Sequence, residues 1–167
     1  KRIVNSIRSQ SAQAIFTSHS PFVLEEFSPS QIVLLERKDG IMHGRSINFP
    51  DTIKPKAYSK EFRMRFSESL LAKRVLITEG DTEAHTISAA ARCLSELEPK
   101  TYTSLEALGI AVFNAGSETS IPIFAKYFKS LGKITIAVCD KQSDSVNLDN
   151  ITSNSDYTYQ SNYKGFE

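Results

Sequence analysis

Two hydrophobic runs in this chain end in acid. Val75-Leu76-Ile77-Thr78 passes directly into Glu79-Gly80-Asp81-Thr82-Glu83, where one carboxylate closes the run, glycine makes a turn and further acids follow. Ile134-Thr135-Ile136-Ala137-Val138-Cys139 delivers Asp140 in the same way. Converging carboxylates suit a hard cation such as Mg²⁺, which takes oxygen ligands at about 2.0 to 2.1 Å and keeps several waters. Each acid also has a plain structural reading: Glu83 gains from the dipole of a first helical turn, Asp81 suits a helix cap, and aspartate after a strand suits a turn. Two acid-terminated strands in one short sequence strengthen the metal reading. Between them, Asn114-Ala115-Gly116 ends a third run in small residues, and glycine there permits positive φ and close approach to a phosphate. An ordinary strand-to-helix turn would look the same.

These acids need a scaffold that brings strand ends together. Residues 74–78, 111–113 and 133–139 read as strands, and residues 81–97 and 121–131 as the helices between them. Such alternation predicts a parallel sheet covered by helices, with ligand sites at the carboxyl ends of the strands. Residues 142–160, rich in Ser, Asp and Asn, read as a mobile loop in which Asn147, Asp149 and Asp156 are solvated. Upstream, residues 1–9 read as the end of an amphipathic helix and residues 12–17 as a strand. A helical turn is expected over residues 22–27, and Lys38-Asp39-Gly40 reads as the turn of a hairpin whose first strand is residues 31–37. Pro50 and Pro55 place a linker at residues 48–58, followed by a helix over residues 59–72.

Composition sets outer limits. The 167 residues allow one domain plus part of another, and 40% hydrophobic with 23% charged residues describes an ordinary folding chain. A net charge of +1 provides no global field for a nucleic acid, so any such partner must be met by local lysines. Lys126, Lys129, Lys133, Lys141 and Lys164 are candidates. Cys93 and Cys139 lack metal-type spacing and read as buried thiols of a reducing compartment. With no apolar run near the roughly 20 residues of a membrane span and no signal-peptide layout, a cytoplasmic protein with no membrane partner is expected. The chain opens at Lys1 without Met and stops at Glu167 after a motif-like stretch, so it is expected to be a piece of a longer polypeptide.

The order Glu79-Gly80-Asp81-Thr82-Glu83, then Asn114-Ala115-Gly116, then Asp140 resembles the toprim domain, the metal-binding module of topoisomerases, primases and several nucleases. Residues 13–24, with Thr17-Ser18-His19-Ser20-Pro21 at their centre, resemble the switch-histidine region of ABC-type ATPases. An ATPase tail followed by toprim is the arrangement of OLD-family ATP-dependent endonucleases, relatives of which serve as the nuclease subunit of Gabija-type defence systems. The resemblance implies an α/β fold: a mostly parallel toprim sheet flanked by helices over residues 56–167, preceded by the C-terminal strands of an ABC-type ATPase domain over residues 1–55.

The resemblance further implies Mg²⁺ or Mn²⁺ held by Glu79, Glu83 and Asp140 as catalytic residues, with Asp144 and Glu167 as additional metal ligands. His19 would contact the γ-phosphate of ATP, and Lys141 and Lys164 would contact DNA. The implied activity is endonucleolytic cleavage or nicking of DNA, regulated by the attached ATPase and serving antiphage defence. Its implied partners are DNA, further copies of the chain through the ATPase domain, and a defence-system protein. One departure stands out: many toprim proteins carry a D-x-D pair, whereas Asp140-Lys141-Gln142 has glutamine at the second place. The alternative is therefore a toprim-like module that binds DNA or a partner without cutting.

Overall fold

The structure, a computed structural model, describes residues 2–50, 60–142 and 145–165. The chain divides into two compact units, Lys1–Leu71 and Ala72–Glu167.

In the first unit, helix α1 (Arg2–Gln10) buries Val4. A short helix α2 (Pro21–Leu24) starts at a proline, whose fixed φ suits a first helical position. Strands β1 (Val33–Lys38) and β2 (Ile41–Ser46) pair antiparallel from Lys38 opposite Ile41. The intervening Asp39 and Gly40 both take positive φ, 52° and 81°, as a type I′ hairpin turn requires. Helix α3 (Lys60–Leu71) brings Phe62 and Phe66 to Phe49, with both ring centroids 5.5 Å from that of Phe49. The strand expected at residues 12–17 does not form. A strand needs a hydrogen-bonding neighbour, and the segment stays irregular with Ile15 86% exposed. Most of the expected linker, residues 51–58, lies outside the described residues.

The second unit alternates as the apolar runs predict: β3 (Arg74–Thr78), α4 (Asp81–Leu97), β4 (Ile110–Asn114), α5 (Ile121–Ser130) and β5 (Ile134–Cys139). Two more elements follow where a mobile loop is expected: α6 (Ser145–Asn154) and β6 (Tyr157–Gln160). The four strands form one parallel sheet in the order β4-β3-β5-β6. Helices cover it on both sides, the α/β architecture the motifs require. Strand β3 is central, and its Val75, Leu76 and Ile77 are buried because a parallel strand lies between two helical layers. Leu76 and Val112 pack with Ala84 of α4, while Phe113 meets Phe124 and Phe128 of α5 at centroid distances of 4.6 and 5.1 Å.

The loop expectation for residues 142–160 fails because α6 docks by polar groups that hydrophobic periodicity does not detect. Ile151 is its fully buried anchor. Ser155 then caps the helix by donating to the Ile151 carbonyl at 2.7 Å, and Asp156 reaches β5. The Asp156 Oδ2 accepts from the Thr135 backbone N–H at 2.8 Å and from its hydroxyl at 3.0 Å, and Oδ1 pairs with Lys129 at 3.0 Å. Asp156 is thus a structural clamp, contrary to its reading as a solvated loop residue.

Burial works against the charged form of Asp156, but the Thr135 N–H, the Lys129 ammonium and the Thr135 hydroxyl outweigh it and hold the carboxyl below its ordinary range. A depressed folded value contributes stability above the ordinary aspartate pKa of about 4, and that stability is lost as pH falls through the folded value. Asp156→Ala is therefore expected to destabilise the second unit by roughly 1 to 2 kcal/mol at neutral pH. In denaturant titrations across pH, its deficit against wild type should shrink in acid.

Candidate metal centre

Parallel pairing puts the acid-bearing loops on one edge. Ile77 of β3 lies opposite Ala137 of β5, and both strands run on into their acids, Glu79 and Asp140. On the other side of β3, Thr78 pairs with Asn114, so the β4 loop opens at the same edge. The Ala115 N–H donates to the Thr78 carbonyl at 2.9 Å and extends that pairing past the strand ends.

Helix α4 is preceded by Gly80 at its N-cap, whose N–H donates to Glu83 Oε2 at 2.9 Å. This is one arm of a capping box; glycine has no side chain to form the other. Glu83 is 9% exposed, and by accepting the Gly80 N–H it holds the turn that follows Glu79. The backbone of this turn is further fixed by Thr78, whose hydroxyl donates to the Gly80 carbonyl at 3.1 Å. Asp81, on the first turn of α4, is bound by Asn114: Asn114 Nδ2 donates to Asp81 Oδ1 at 2.7 Å. The same Asn114 accepts the Gly116 N–H through Oδ1, also at 2.7 Å, where Gly116 sits at φ 79°. One amide thus ties the β3 and β4 loops together.

Asp140 is half-buried and accepts the Gly165 N–H through Oδ2 at 2.9 Å, while the Lys141 N–H donates to the Tyr163 carbonyl at 3.0 Å. The segment after β6 therefore returns to the β5 loop and sets Lys164 on a stretch of chain bonded to that of Lys141. Both lysines are exposed. Among the other basic candidates Lys126 is exposed, Lys129 is engaged by Asp156, and Lys133 is only 9% exposed. Asp144 and Glu167 lie outside the described residues. His19 is exposed in the first unit, ahead of α2.

The electrostatics join the loops. Burial raises the Glu79 carboxyl above its ordinary range, and the negative charges of Asp140, Glu118 and Glu83 raise it further. The buried Cys139 thiol is pushed up to about 11 by burial and by Glu118, Glu79 and Asp140. It stays protonated and inert near neutral pH. Glu118 is a residue that the sequence motifs do not single out. The available signal is position alone: it lies two residues beyond Gly116, in the third loop on the carboxyl edge. Asn147, read as a solvated loop residue, is instead half-buried and donates to both Glu118 and Gln142. That role is invisible in the sequence because the pattern does not predict α6.

Among the described residues, no three His, Cys, Asp or Glu side chains stand ready to coordinate one ion together. The donor chemistry nevertheless fits Mg²⁺ or Mn²⁺. All the groups are hard oxygens, their repulsion is what a cation relieves, and Mg²⁺ is commonly held by one or two carboxylates with water completing its shell.

The family model described as Overcoming lysogenization defect protein-like, TOPRIM domain, matches residues 70–141, a little under half of the chain. The matched segment contains β3, α4, β4, α5 and β5, and so the loops that bear Glu79, Asn114 and Asp140. It supplies three strands of the four-stranded parallel sheet, which with its flanking helices agrees with a toprim fold. Toprim domains bind divalent metals such as Mg²⁺ and belong to nucleotidyl-transfer and nuclease-type enzymes of nucleic acids. No curated protein matches the chain. No helix among the described residues is long and apolar enough to cross a membrane.

With metal removed by chelator, the raised Glu79 carboxyl costs stability whenever it is charged. A raised folded pKa leaves that stability intact below the ordinary glutamate value of about 4 and loses it as pH rises through the folded value. Glu79→Gln is expected to melt above wild type in EDTA at neutral pH and to converge with it in acid, as followed by circular dichroism.

Proposed function

We propose that the chain carries the cleavage site of a metal-dependent DNA endonuclease or nickase that hydrolyses phosphodiester bonds. What supports this reading is that β3 and β5 pair side by side, so the loops bearing Glu79, Glu83 and Asp140 open at one carboxyl edge, within a segment that a toprim model matches. Glu79 and Asp140 are the residues that would hold Mg²⁺ or Mn²⁺, with Asp144 and Glu167 as further candidate ligands. Bound there, such an ion supplies acidification of a water and neutralisation of charge on the departing oxygen. Glu83 fixes the Gly80 turn and so the direction of Glu79. Asn114 holds the neighbouring loop, where the Gly116 backbone leaves room for a phosphate. Lys141 and Lys164 supply exposed cations beside Asp140 to seat the DNA backbone.

We read residues 1–55 as the end of an ABC-type ATPase domain on the strength of the Thr17-Ser18-His19-Ser20-Pro21 string. In that reading ATP bound by the longer protein regulates cleavage, His19 senses the γ-phosphate, and the ATPase domain pairs copies of the chain. Antiphage defence in the cytoplasm, with a partner protein, is the biological setting that this domain order supports. Gln142 keeps a second reading open, a toprim-like module that binds DNA or a partner without cutting.

Supercoiled plasmid incubated with the protein and Mg²⁺ or Mn²⁺ separates the two. Nicking should require the metal and fall at least about 100-fold in Glu83→Ala and Asp140→Ala. Cleavage indifferent to both substitutions, or none with any metal, favours the binding module. Lys141→Ala with Lys164→Ala should weaken DNA binding and flatten its salt dependence, because each lysine withdrawn from a phosphate lowers the slope by about one unit.

A further inference from the structure

Resting on that reading, we infer that the strand entering the site is unpaired, and that Tyr157, Tyr159 and Tyr163 form a platform on which its bases stack. The three side chains are 57%, 63% and 74% exposed. Tyr157 and Tyr159 stand two apart on β6 and so share one face of the sheet. Their partners on β5 are Ile136 and Val138, which pack at the border of the cluster formed by Leu76, Ala84 and Val112. Helix α4 packs on β3 and β4, and the same face of β5 and β6 stays partly open, with Ile134 exposed as well.

The platform leads to the acidic edge. β6 ends level with β5, Gln160 opposite Cys139, and the Ser161 N–H donates to the Cys139 carbonyl at 2.9 Å. Tyr163 follows in the segment that returns to Asp140. Its carbonyl accepts the Lys141 N–H at 3.0 Å, and its own N–H donates to Ser161 Oγ at 3.1 Å. The backbone of Tyr163 is thus fixed next to the residue that follows Asp140, while its ring is left to solvent. Residues 157–165 contain one lysine, Lys164, and no acid, and Lys141 adds a second exposed cation. An acid-free strip with two cations and three open rings complements a polyanion that also offers flat apolar faces. Strand propensity accounts for tyrosine at 157 and 159, but not in the loop at 163.

The same chemistry selects an unpaired strand. In a duplex the bases cover one another's faces at a rise of about 3.4 Å, so exposed rings would meet only sugar and phosphate. Rings two residues apart on a β-strand stand about 6.6 Å apart, which leaves room for a base unstacked from its neighbours to lie against each. Proteins that hold single strands combine such aromatic platforms with cations that track the backbone, and they tolerate any sequence because every base has a π-face. The substrate class is therefore a single strand, a flap or a melted region, and not an intact duplex.

The test reads binding of a fluorescently labelled oligothymidylate and of a blunt duplex of the same length, by anisotropy in EDTA so that neither is cut. The single strand should bind more tightly. Tyr159→Ala and Tyr163→Ala should each weaken it by roughly 5- to 100-fold while leaving the salt slope unchanged, and Tyr159→Phe and Tyr163→Phe should retain wild-type affinity. The chain has no tryptophan, so quenching of its tyrosine emission by the unlabelled oligonucleotide reports stacking directly and should shrink in both alanine variants. Thermal melting by circular dichroism checks their fold. A single strand that fails to bind, that binds no better than the duplex, or that binds the alanine variants as well as wild type overturns the platform. So does a dimer in light scattering that Tyr157→Ala with Tyr159→Ala dissociates while DNA affinity holds, since the face then belongs to a second copy. Metal-dependent nicking of plasmid is scored apart from these: nicking with no single-strand preference overturns the platform alone, and stacking with no cleavage in any metal overturns the nuclease reading alone.

Discussion

A parallel sheet sends every strand's carboxyl end to the same edge, and in the second unit three consecutive loops at that edge are acidic or glycine-bearing. β3 pairs with β4 through Thr78 opposite Asn114 and with β5 through Ile77 opposite Ala137, so the strand ends are level to within a residue or two. Both faces of β3 are buried, so a slip of one residue would exchange the side chains that it presents to the two helical layers. The hydrophobic pattern that fills the two helical layers therefore also fixes how far Glu79 and Asp140 project. Site geometry here is a by-product of core packing: Phe113 against Phe124 and Phe128 on one face, Leu76 and Val112 under Ala84 on the other.

Gathering acids on one edge opposes folding, and the local hydrogen bonds show how that opposition is contained. Glu83 is placed at the positive end of α4 and takes the Gly80 N–H, so its charge is offset by backbone donors. Asp140 takes the Gly165 N–H, and Asp81 takes the Asn114 amide. Glu79, flanked by these tethered acids, is the group whose carboxyl is raised. The distribution has a physical logic: supporting acids are tied to the scaffold by neutral donors, while the acid at the centre carries the repulsion.

Much of this is legible in the sequence because burial leaves a strong trace. The runs at residues 74–78 and 134–139 are too apolar for anything but interior strands, and the glycine and acids after Thr78 mark a helix start, so β3, α4 and β5 form where the pattern places them. The turn at Asp39-Gly40 is equally direct, since both residues tolerate positive φ. Residues 12–17 mislead for the opposite reason. Ile15 and Phe16 are apolar, but a strand is a property of a pair and not of a segment, and Ile15 remains exposed.

The least legible part, α6 and β6, is the part that completes the edge. Its apolar positions are few: Ile151 is buried, while Val146 is 70% exposed. What seats it is a set of single polar contacts, Asp156 on Thr135 and Lys129, Ser155 on the helix end, and Asn147 on Glu118 and Gln142. Such contacts have no period, so no windowed reading of hydrophobicity can register them. They do, however, place α6 beside α5 and set β6 against β5 with Ile136 opposite Tyr157. β6 then returns the chain toward Asp140 through Tyr163 and Gly165. The polar composition that suggests a loop is therefore the means by which a helix reaches an acidic edge: an apolar face could pack there but could offer Glu118 and Gln142 no hydrogen bond.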